Sequence, residues 1–292
     1  MLVPKKQYIL YASRLAEFHL YGLGDLHDLN VGCAYDDFQR DRRRILADPF
    51  AFVIILGDMA DFIAPGDPRW DPAIVGPKMD SEDYSRFGDF LKKRLRRSIG
   101  PFAEAGKLLG IGIGNHEWEY MHRYRQANLH TELCDELGVP SLGYSSFLRV
   151  VFCRTPLMGK PILKRTYPQK QNGCTPGTDR TMLTIFTHHG AGAAMSDGGQ
   201  VNRLARFMED NEADLYFIGH LHSKQSRAPV RLECEVNGVG YRHKRGAICG
   251  GYLTTYTKGV SSWGERRGFR PTPLGPACAF FRPQTRELKV LI

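Results

Sequence analysis

Five short segments rich in metal-binding side chains constrain the fold of this chain more than any other feature of its sequence. They occur in this order: Gly24-Asp25-Leu26-His27, Gly57-Asp58-Met59-Ala60-Asp61, Gly114-Asn115-His116-Glu117, Thr187-His188-His189-Gly190 and Gly219-His220-Leu221-His222. Their Asp, Asn and His side chains are too many for one closed tetrahedral site, but they suit two neighbouring metal ions that keep open positions. We therefore expect the fold to bring five distant segments together.

Apolar runs lead into these segments and indicate how they meet. Residues 50–56, 108–113, 181–186 and 214–218 read as strands, and either residues 8–11 or residues 18–23 form the strand before Asp25. Functional groups gather at the carboxyl ends of strands in open α/β sheets. We therefore expect the five segments to meet at the ends of the strands.

Helical patterns alternate with the strands. Helices are predicted at residues 34–46, 84–105, 117–137 and 201–211. The repeated order of strand, segment and helix predicts a single α/β sandwich domain over residues 1–292, with insertions near 62–107 and 154–180.

Composition favours a chain that stays in a reducing compartment. No stretch approaches the roughly 18 apolar residues of a membrane-spanning helix. The N-terminal residues lack the apolar core of a secretory signal. Seven scattered Cys form no C-x-x-C pair, which favours reduced thiols and a cytoplasmic location over a disulfide framework.

Charge is unevenly distributed along the chain. Residues 1–150 carry 19 Lys and Arg against 21 Asp and Glu, whereas residues 151–292 carry 21 against 10. A basic half suits an anionic substrate such as a nucleotide, nucleic acid or phosphoprotein, and a solubilising surface is the alternative. Residues 92–97 are a second basic run. They read as the solvated face of an amphipathic helix, with a nucleic-acid contact as the alternative.

The residue types suggest separate roles around a pair of ions. Asp25 and His27 can bind one ion from a single turn, and Asp58 can bridge both ions. Asn115 supplies a neutral oxygen, and His188, His220 and His222 complete the ligand set. We prefer His188 to His189 because it comes first after its strand.

Three further side chains are candidates for supporting roles. His116 follows Asn115 directly, so its side chain points elsewhere and can act as a general acid for the leaving oxygen. Asp61 and Glu117 are expected to orient imidazoles near the ions. Together these features predict a metal-dependent hydrolase of phosphate esters that uses metal-activated water.

The order D-x-H, G-D-x-x-D, G-N-H-E, H and G-H-x-H resembles the calcineurin-like metallophosphoesterase superfamily over residues 24–222. The resemblance implies a four-layer sandwich, two mixed β-sheets flanked by helices, with two divalent ions. Manganese is favoured, and zinc, iron or nickel are the alternatives. The implied ligands are Asp25, His27, Asp58 and His222 for one ion, and Asp58, Asn115, His188 and His220 for the other. His116 is the implied catalytic histidine.

The resemblance leaves the substrate open. A phosphoesterase acting on a small or nucleotide-like mono- or diester is the first hypothesis. A manganese-dependent DNA or RNA nuclease and a non-catalytic scaffold are the alternatives. No membrane partner is expected. Residues 250–275 resemble uncharacterised members of the superfamily that are encoded by bacteriophages.

Overall fold

A computed structural model describes residues 3–75, 79–125, 128–155, 159–166, 180–192, 196–236, 238–271 and 273–292. Within these residues, no helix is both long and apolar enough to cross a membrane. Most of the insertion predicted at residues 154–180 lies outside the described residues.

The described residues form strands and helices in alternation. The helices are α1 (Tyr35–Ala47), α2 (Ser81–Ser85), α3 (Phe87–Glu104), α4 (Asn115–Arg123), α5 (Leu129–Glu136), α6 (Asp197–Asp210) and α7 (Trp263–Arg266). The strands are β1 (Lys5–Tyr11), β2 (Phe18–Leu23), β3 (Ala51–Ile55), β4 (Leu108–Gly112), β5 (Ser141–Gly143), β6 (Ser145–Arg154), β7 (Ile162–Lys164), β8 (Arg180–His188), β9 (Leu215–Ile218), β10 (Gln225–Arg227), β11 (Val230–Glu235), β12 (Gly238–His243), β13 (Arg245–Ile248), β14 (Ala277–Arg282) and β15 (Glu287–Leu291).

Two mixed sheets carry the fold. One has the strand order β10-β13-β9-β8-β6-β1-β7, and the other has the order β15-β14-β2-β3-β4-β5. Strands β2, β3 and β4 are parallel neighbours in the second sheet. Strands β8 and β9 are parallel neighbours in the first. Strands β11 and β12 form a separate two-stranded sheet.

Side-chain alternation along each strand builds a layered core. Phe52 and Ile54 of β3 belong to the apolar cluster between the two sheets, whereas Val53 and Ile55 belong to the cluster beneath the helices. On the outer face of the first sheet, α6 packs Leu204 and Met208 in a third cluster. Because successive strand residues point to opposite faces, the molecule has the expected four layers, two mixed sheets flanked by helices.

Most of the predicted elements are confirmed. Both candidate first strands exist, because β1 joins one sheet while β2 leads directly to Asp25. The single helix predicted at residues 117–137 is wrong. Helix α4 ends at Arg123 and α5 starts at Leu129, and Arg125 between them has a left-handed φ of 54°. A non-glycine residue in that region interrupts a right-handed helix.

Candidate metal centre

The five segments follow the ends of β2, β3, β4, β8 and β9, and their backbone is unusual. Five residues that were expected to bind metal have positive φ angles: Asp25 (52°), His27 (49°), Asp58 (49°), His220 (67°) and His222 (44°). Each such angle on a non-glycine residue costs on the order of 1–3 kcal/mol, and strain of this kind clusters at functional sites. The chain therefore adopts an unfavourable backbone where these side chains converge.

Close packing between loops explains the glycine at position 57. Its φ is +103°, and a Cβ there would lie 2.2 Å from the backbone nitrogen of Gly114. No larger residue fits, so the loop after β3 presses directly on the loop after β4. This contact places Asp58 beside the start of α4.

Asp25, His27 and His222 form one cluster of possible ligands. The Nε2 atoms of His27 and His222 lie 3.2 Å apart, and His222 Nε2 lies 3.6 Å from Asp25 Oδ1. His27 Nδ1 donates to Asp61 Oδ1 at 2.9 Å. His27 therefore points its other nitrogen at His222 and, in the neutral form, offers a lone pair there.

Asp58, His189 and His220 form a second cluster. His189 Nε2 lies 3.1 Å from Asp58 Oδ2, while its Nδ1 donates to the carbonyl oxygen of Leu56 at 2.9 Å. Burial, together with His189, lowers the pKa of His220 to about 4 and keeps that imidazole neutral. The backbone N–H of His220 donates to Asp25 Oδ2 at 2.9 Å, which joins the two clusters.

Asn115 provides the test of whether a cation fits. Its amide oxygen lies 3.1 Å from His189 Nε2, and the same end of the amide lies 3.2 Å from Asp58 Oδ2 and 2.8 Å from His220 Nδ1. With His220 neutral, and with His189 deprotonated as metal binding requires, this oxygen faces only acceptors. A bound cation would satisfy these converging acceptors. Rotation of the amide, which turns its NH₂ group toward them, would do the same. The donor set of carboxylate, amide oxygen and imidazole fits a divalent transition metal.

The structure places His189, and not the predicted His188, in the cluster with Asp58 and His220. The His188 ring packs against Phe207 at a centroid distance of 4.5 Å, and its Nδ1 accepts from the Gly190 N–H at 2.7 Å. Leu183 and Ile185 face the space between the sheets, and alternation places residue 189 on that same side. His188 consequently points toward α6, and His189 lies beside Asp58.

Asp61 and Glu117 orient the site in different ways. Asp61 accepts from His27 and from the Asn30 side chain at 2.9 Å, so it fixes an imidazole as expected. Glu117 does not. Its buried carboxylate accepts from the backbone N–H groups of Asp58 and Met59 at 2.9 Å and of Gly114 at 3.0 Å. Glu117 therefore ties the loop after β3 to the loop after β4.

His116 lies in the first turn of α4, directly after Asn115. Its backbone N–H donates to Asp58 Oδ1 at 2.9 Å, and its Nδ1 donates to the Asp61 carbonyl oxygen at 2.5 Å. Its side chain is 15% exposed, compared with 0% for His189. His116 also groups with His27 and Asp58, so its ring borders the cluster while remaining partly open to solvent.

The buried carboxylates attract positive charge. Burial opposes ionisation of Asp58, but His116 and His189 hold the pKa of its carboxyl well below the usual value. Burial also opposes protonation of His189, yet Asp58 and other carboxylates raise the pKa of its imidazole to about 10. Burial raises the pKa of Asp25 to about 6. Divalent ions would supply the positive charge that this group of carboxylates stabilises.

Tyr144 borders the site and was missed in the sequence. Its backbone carbonyl accepts from the His189 N–H at 3.0 Å, and its ring stands edge-on to His189 at 5.4 Å. Within the described residues its hydroxyl has no hydrogen-bond partner. Burial and the negative charge of Asp58 and Asp25 raise its pKa to about 12, so the hydroxyl keeps its proton. A lone Tyr between β5 and β6 carries no sequence signal of this placement.

Comparison with known protein families finds a match that covers the site. The family model for calcineurin-like phosphoesterase matches residues 18–224, which include all five segments and more than half of the chain. No curated protein matches the chain. The match ends before residues 250–275, so the bacteriophage resemblance of that segment stays a prediction.

Proposed function

The chain belongs to the calcineurin-like phosphoesterase family, and we propose that it is a phosphoesterase with two divalent metal ions. The family supports metal-dependent hydrolysis of a phosphoester. The observation that carries the step to two ions is the pair of ligand clusters joined around Asp25 and Asp58, one with His222 and the other with His220.

The proposed ligands follow from those clusters. Asp25, His27, Asp58 and His222 would hold one ion, and Asp58, Asn115, His189 and His220 would hold the other. Asp58 is the proposed bridge because it groups both with His27 and with His189 and His220. The ligand set differs from the sequence expectation only in replacing His188 by His189.

Two bound divalent ions supply a nucleophile from water at neutral pH and stabilise negative charge on the phosphoryl oxygens. His116 would donate a proton to the leaving oxygen from Nε2, because its Nδ1 is held by the Asp61 carbonyl. Tyr144 would donate its hydroxyl to a phosphoryl oxygen of the substrate.

The nuclease alternative receives little support from the basic residues that motivated it. Arg94 of the run at residues 92–97 donates to Asp28 at 2.8 and 2.6 Å, and Lys92 pairs with Glu132 at 2.9 Å. In the C-terminal half, fully buried Lys244 pairs with Glu212 at 2.7 Å. These three cations pair with the chain's own carboxylates and give no support to a nucleic-acid contact, so we keep the proposal to a phosphoester substrate.

Hydrolysis of p-nitrophenyl phosphate and its bis-ester, in the presence of Mn²⁺, Zn²⁺, Ni²⁺ or Mg²⁺, tests the proposal. The wild-type protein should turn over at least one of them, and Asp58→Ala should abolish turnover with every metal. Undiminished activity in Asp58→Ala would refute the proposal. A panel of mononucleotides, cyclic nucleotides, phosphopeptides and DNA then defines the substrate class.

The role of His116 needs a separate comparison. His116→Asn should retain the metal ions but lose rate by roughly 10²–10⁴-fold on an alkyl ester, whose leaving oxygen needs a proton. The loss should be much smaller on p-nitrophenyl esters, whose leaving group departs without one. Equal losses on both substrates would exclude His116 as the general acid.

A further inference from the structure

Strands β11 and β12 form a hairpin with two chemically distinct faces. Their register pairs Leu232 with Tyr241 and Cys234 with Val239, so these four side chains share one face of the hairpin. Val230 also lies on this face, paired with the exposed His243 at the base of the hairpin. Arg231, Glu233 and Arg242 lie on the opposite face. The hairpin is thus amphipathic.

The apolar face is the exposed one. Leu232 is 71% exposed, Tyr241 is 74% exposed and Val239 is 69% exposed. Val230 at the base is 51% exposed, and Val236 at the turn is fully exposed. Isolated apolar side chains are common on protein surfaces, but a contiguous group on one sheet face marks an interaction site.

The polar face holds the hairpin against the body of the protein. Arg242 pairs with Glu212 at 3.0 Å, with Asp214 at 3.5 Å and with Glu233 at 3.2 Å. Glu212 and Asp214 lie just before β9, outside the hairpin. These contacts fix the direction of the apolar face, which therefore cannot turn inward to bury itself.

The charge of the hairpin limits the class of partner that its apolar face can bind. The whole chain has a net charge of +9, but residues 230–243 carry two Arg and two Glu and are neutral at pH 7. A surface that binds anionic lipid or nucleic acid needs an excess of Lys and Arg. A neutral, apolar face instead suits another protein surface of the same character.

The area of the face matches a second copy of this chain. The apolar side chains whose exposure is given above, those of Val230, Leu232, Val236, Val239 and Tyr241, together expose roughly 400 Å². Two such faces, with the backbone and rim atoms around them, would bury on the order of 1,000 Å², which is the lower bound for a specific interface. Like-charged copies also repel least where their surfaces are neutral. We propose that the chain forms a weak two-fold dimer through the apolar faces of two β11–β12 hairpins.

Sedimentation equilibrium of the full chain from about 1 to 300 µM tests the dimer. An interface of this size should give a dissociation constant in the micromolar range. Leu232→Glu and Tyr241→Glu should each raise it at least tenfold, because each places an unpaired charge in the interface. Arg231→Gln on the opposite face is the matched control and should change it little.

Three results would overturn the proposal. They are a wild-type chain that stays monomeric at 300 µM, a dimer that is unaffected by both Glu variants, and a monomer that binds neutral lipid vesicles through Leu232. Thermal unfolding of each variant checks that the chain is folded. Alkylation of the exposed Cys234, measured by peptide mass spectrometry, gives a readout that needs no interface variant. It should slow several-fold as the wild-type chain is concentrated, and an unchanged rate contradicts the dimer.

Discussion

At the scale of single residues, the direction of a side chain separates a ligand from its neighbour. The sequence places His188 and His189 together at the end of a strand, and the order of residues alone favours the first. Alternation favours the second, because Leu183 and Ile185 face the interior between the sheets and residue 189 continues that face. The pattern needed for the better prediction was present in the sequence. The sequence does not show which face of strand β8 points toward the site.

Paired alanine variants test this assignment. His189→Ala should lower kcat/KM by at least 10²-fold and weaken binding of one ion, because it removes a direct ligand. His188→Ala should stay within about threefold, since its ring packs on Phe207 outside the cluster. Steady-state kinetics with saturating Mn²⁺ distinguishes the two. The opposite pattern would restore His188 as the ligand.

The Tyr144 hydroxyl gives a second residue-scale prediction. Its removal in Tyr144→Phe deletes one hydrogen bond to a charged phosphoryl oxygen, worth about 1.5–3 kcal/mol. We therefore expect kcat/KM to fall by roughly 10- to 100-fold, with the metal content and the unfolding temperature unchanged. Unaltered kinetics would show that the hydroxyl does not reach the substrate.

At the scale of elements, the loops after the strands do most of the positioning. The strands before the five segments, the helices α1, α3 and α6, and the convergence of loops at the strand ends could be predicted from apolar periodicity. The contacts between loops could not. Glu117 looked like a partner for an imidazole, but it binds three backbone N–H groups from two loops. Hydrogen bonds from backbone N–H groups cannot be predicted from residue types, because every residue except Pro carries the same donor.

Glu117→Gln tests the tie between the loops. The amide NH₂ group would face backbone N–H groups, so at least one buried donor loses its acceptor, at a cost of about 1–3 kcal/mol. The free energy of unfolding in urea should fall by that amount, and activity should fall with it. Glu119→Gln is the control, because Glu119 makes only a partly exposed pair with Arg69 and should cost less than 1 kcal/mol. Equal stability of both variants would contradict the tie.

At the scale of the whole molecule, a buried histidine outside the five segments links stability to pH. His130 of α5 is 5% exposed, and its Nε2 lies 3.0 Å from the Ser141 hydroxyl. Burial lowers its pKa from 6.5 to about 4. Between these values the unfolded chain binds a proton that the folded chain does not. The stabilising effect is therefore complete above pH 6.5 and is lost as the pH falls toward 4.

Unfolding of His130→Gln in urea at pH 7.5 and pH 4.5 measures this linkage. The wild-type chain should lose about 2–3 kcal/mol more than the variant between the two pH values, since each pKa unit corresponds to about 1.4 kcal/mol. The exposed His122→Gln should behave like wild type. If His130→Gln loses as much as wild type, His130 is not buried in its neutral form.

We propose that Asp58 binds both of two metal ions, each of which has its own group of further ligands. Equilibrium dialysis against Mn²⁺, with the bound metal counted per chain, tests it directly. We predict two Mn²⁺ per wild-type chain, one tightly bound ion in His189→Ala and no tightly bound ion in Asp58→Ala. A wild-type chain that binds one ion or none, or an Asp58→Ala chain that still binds two, would contradict it.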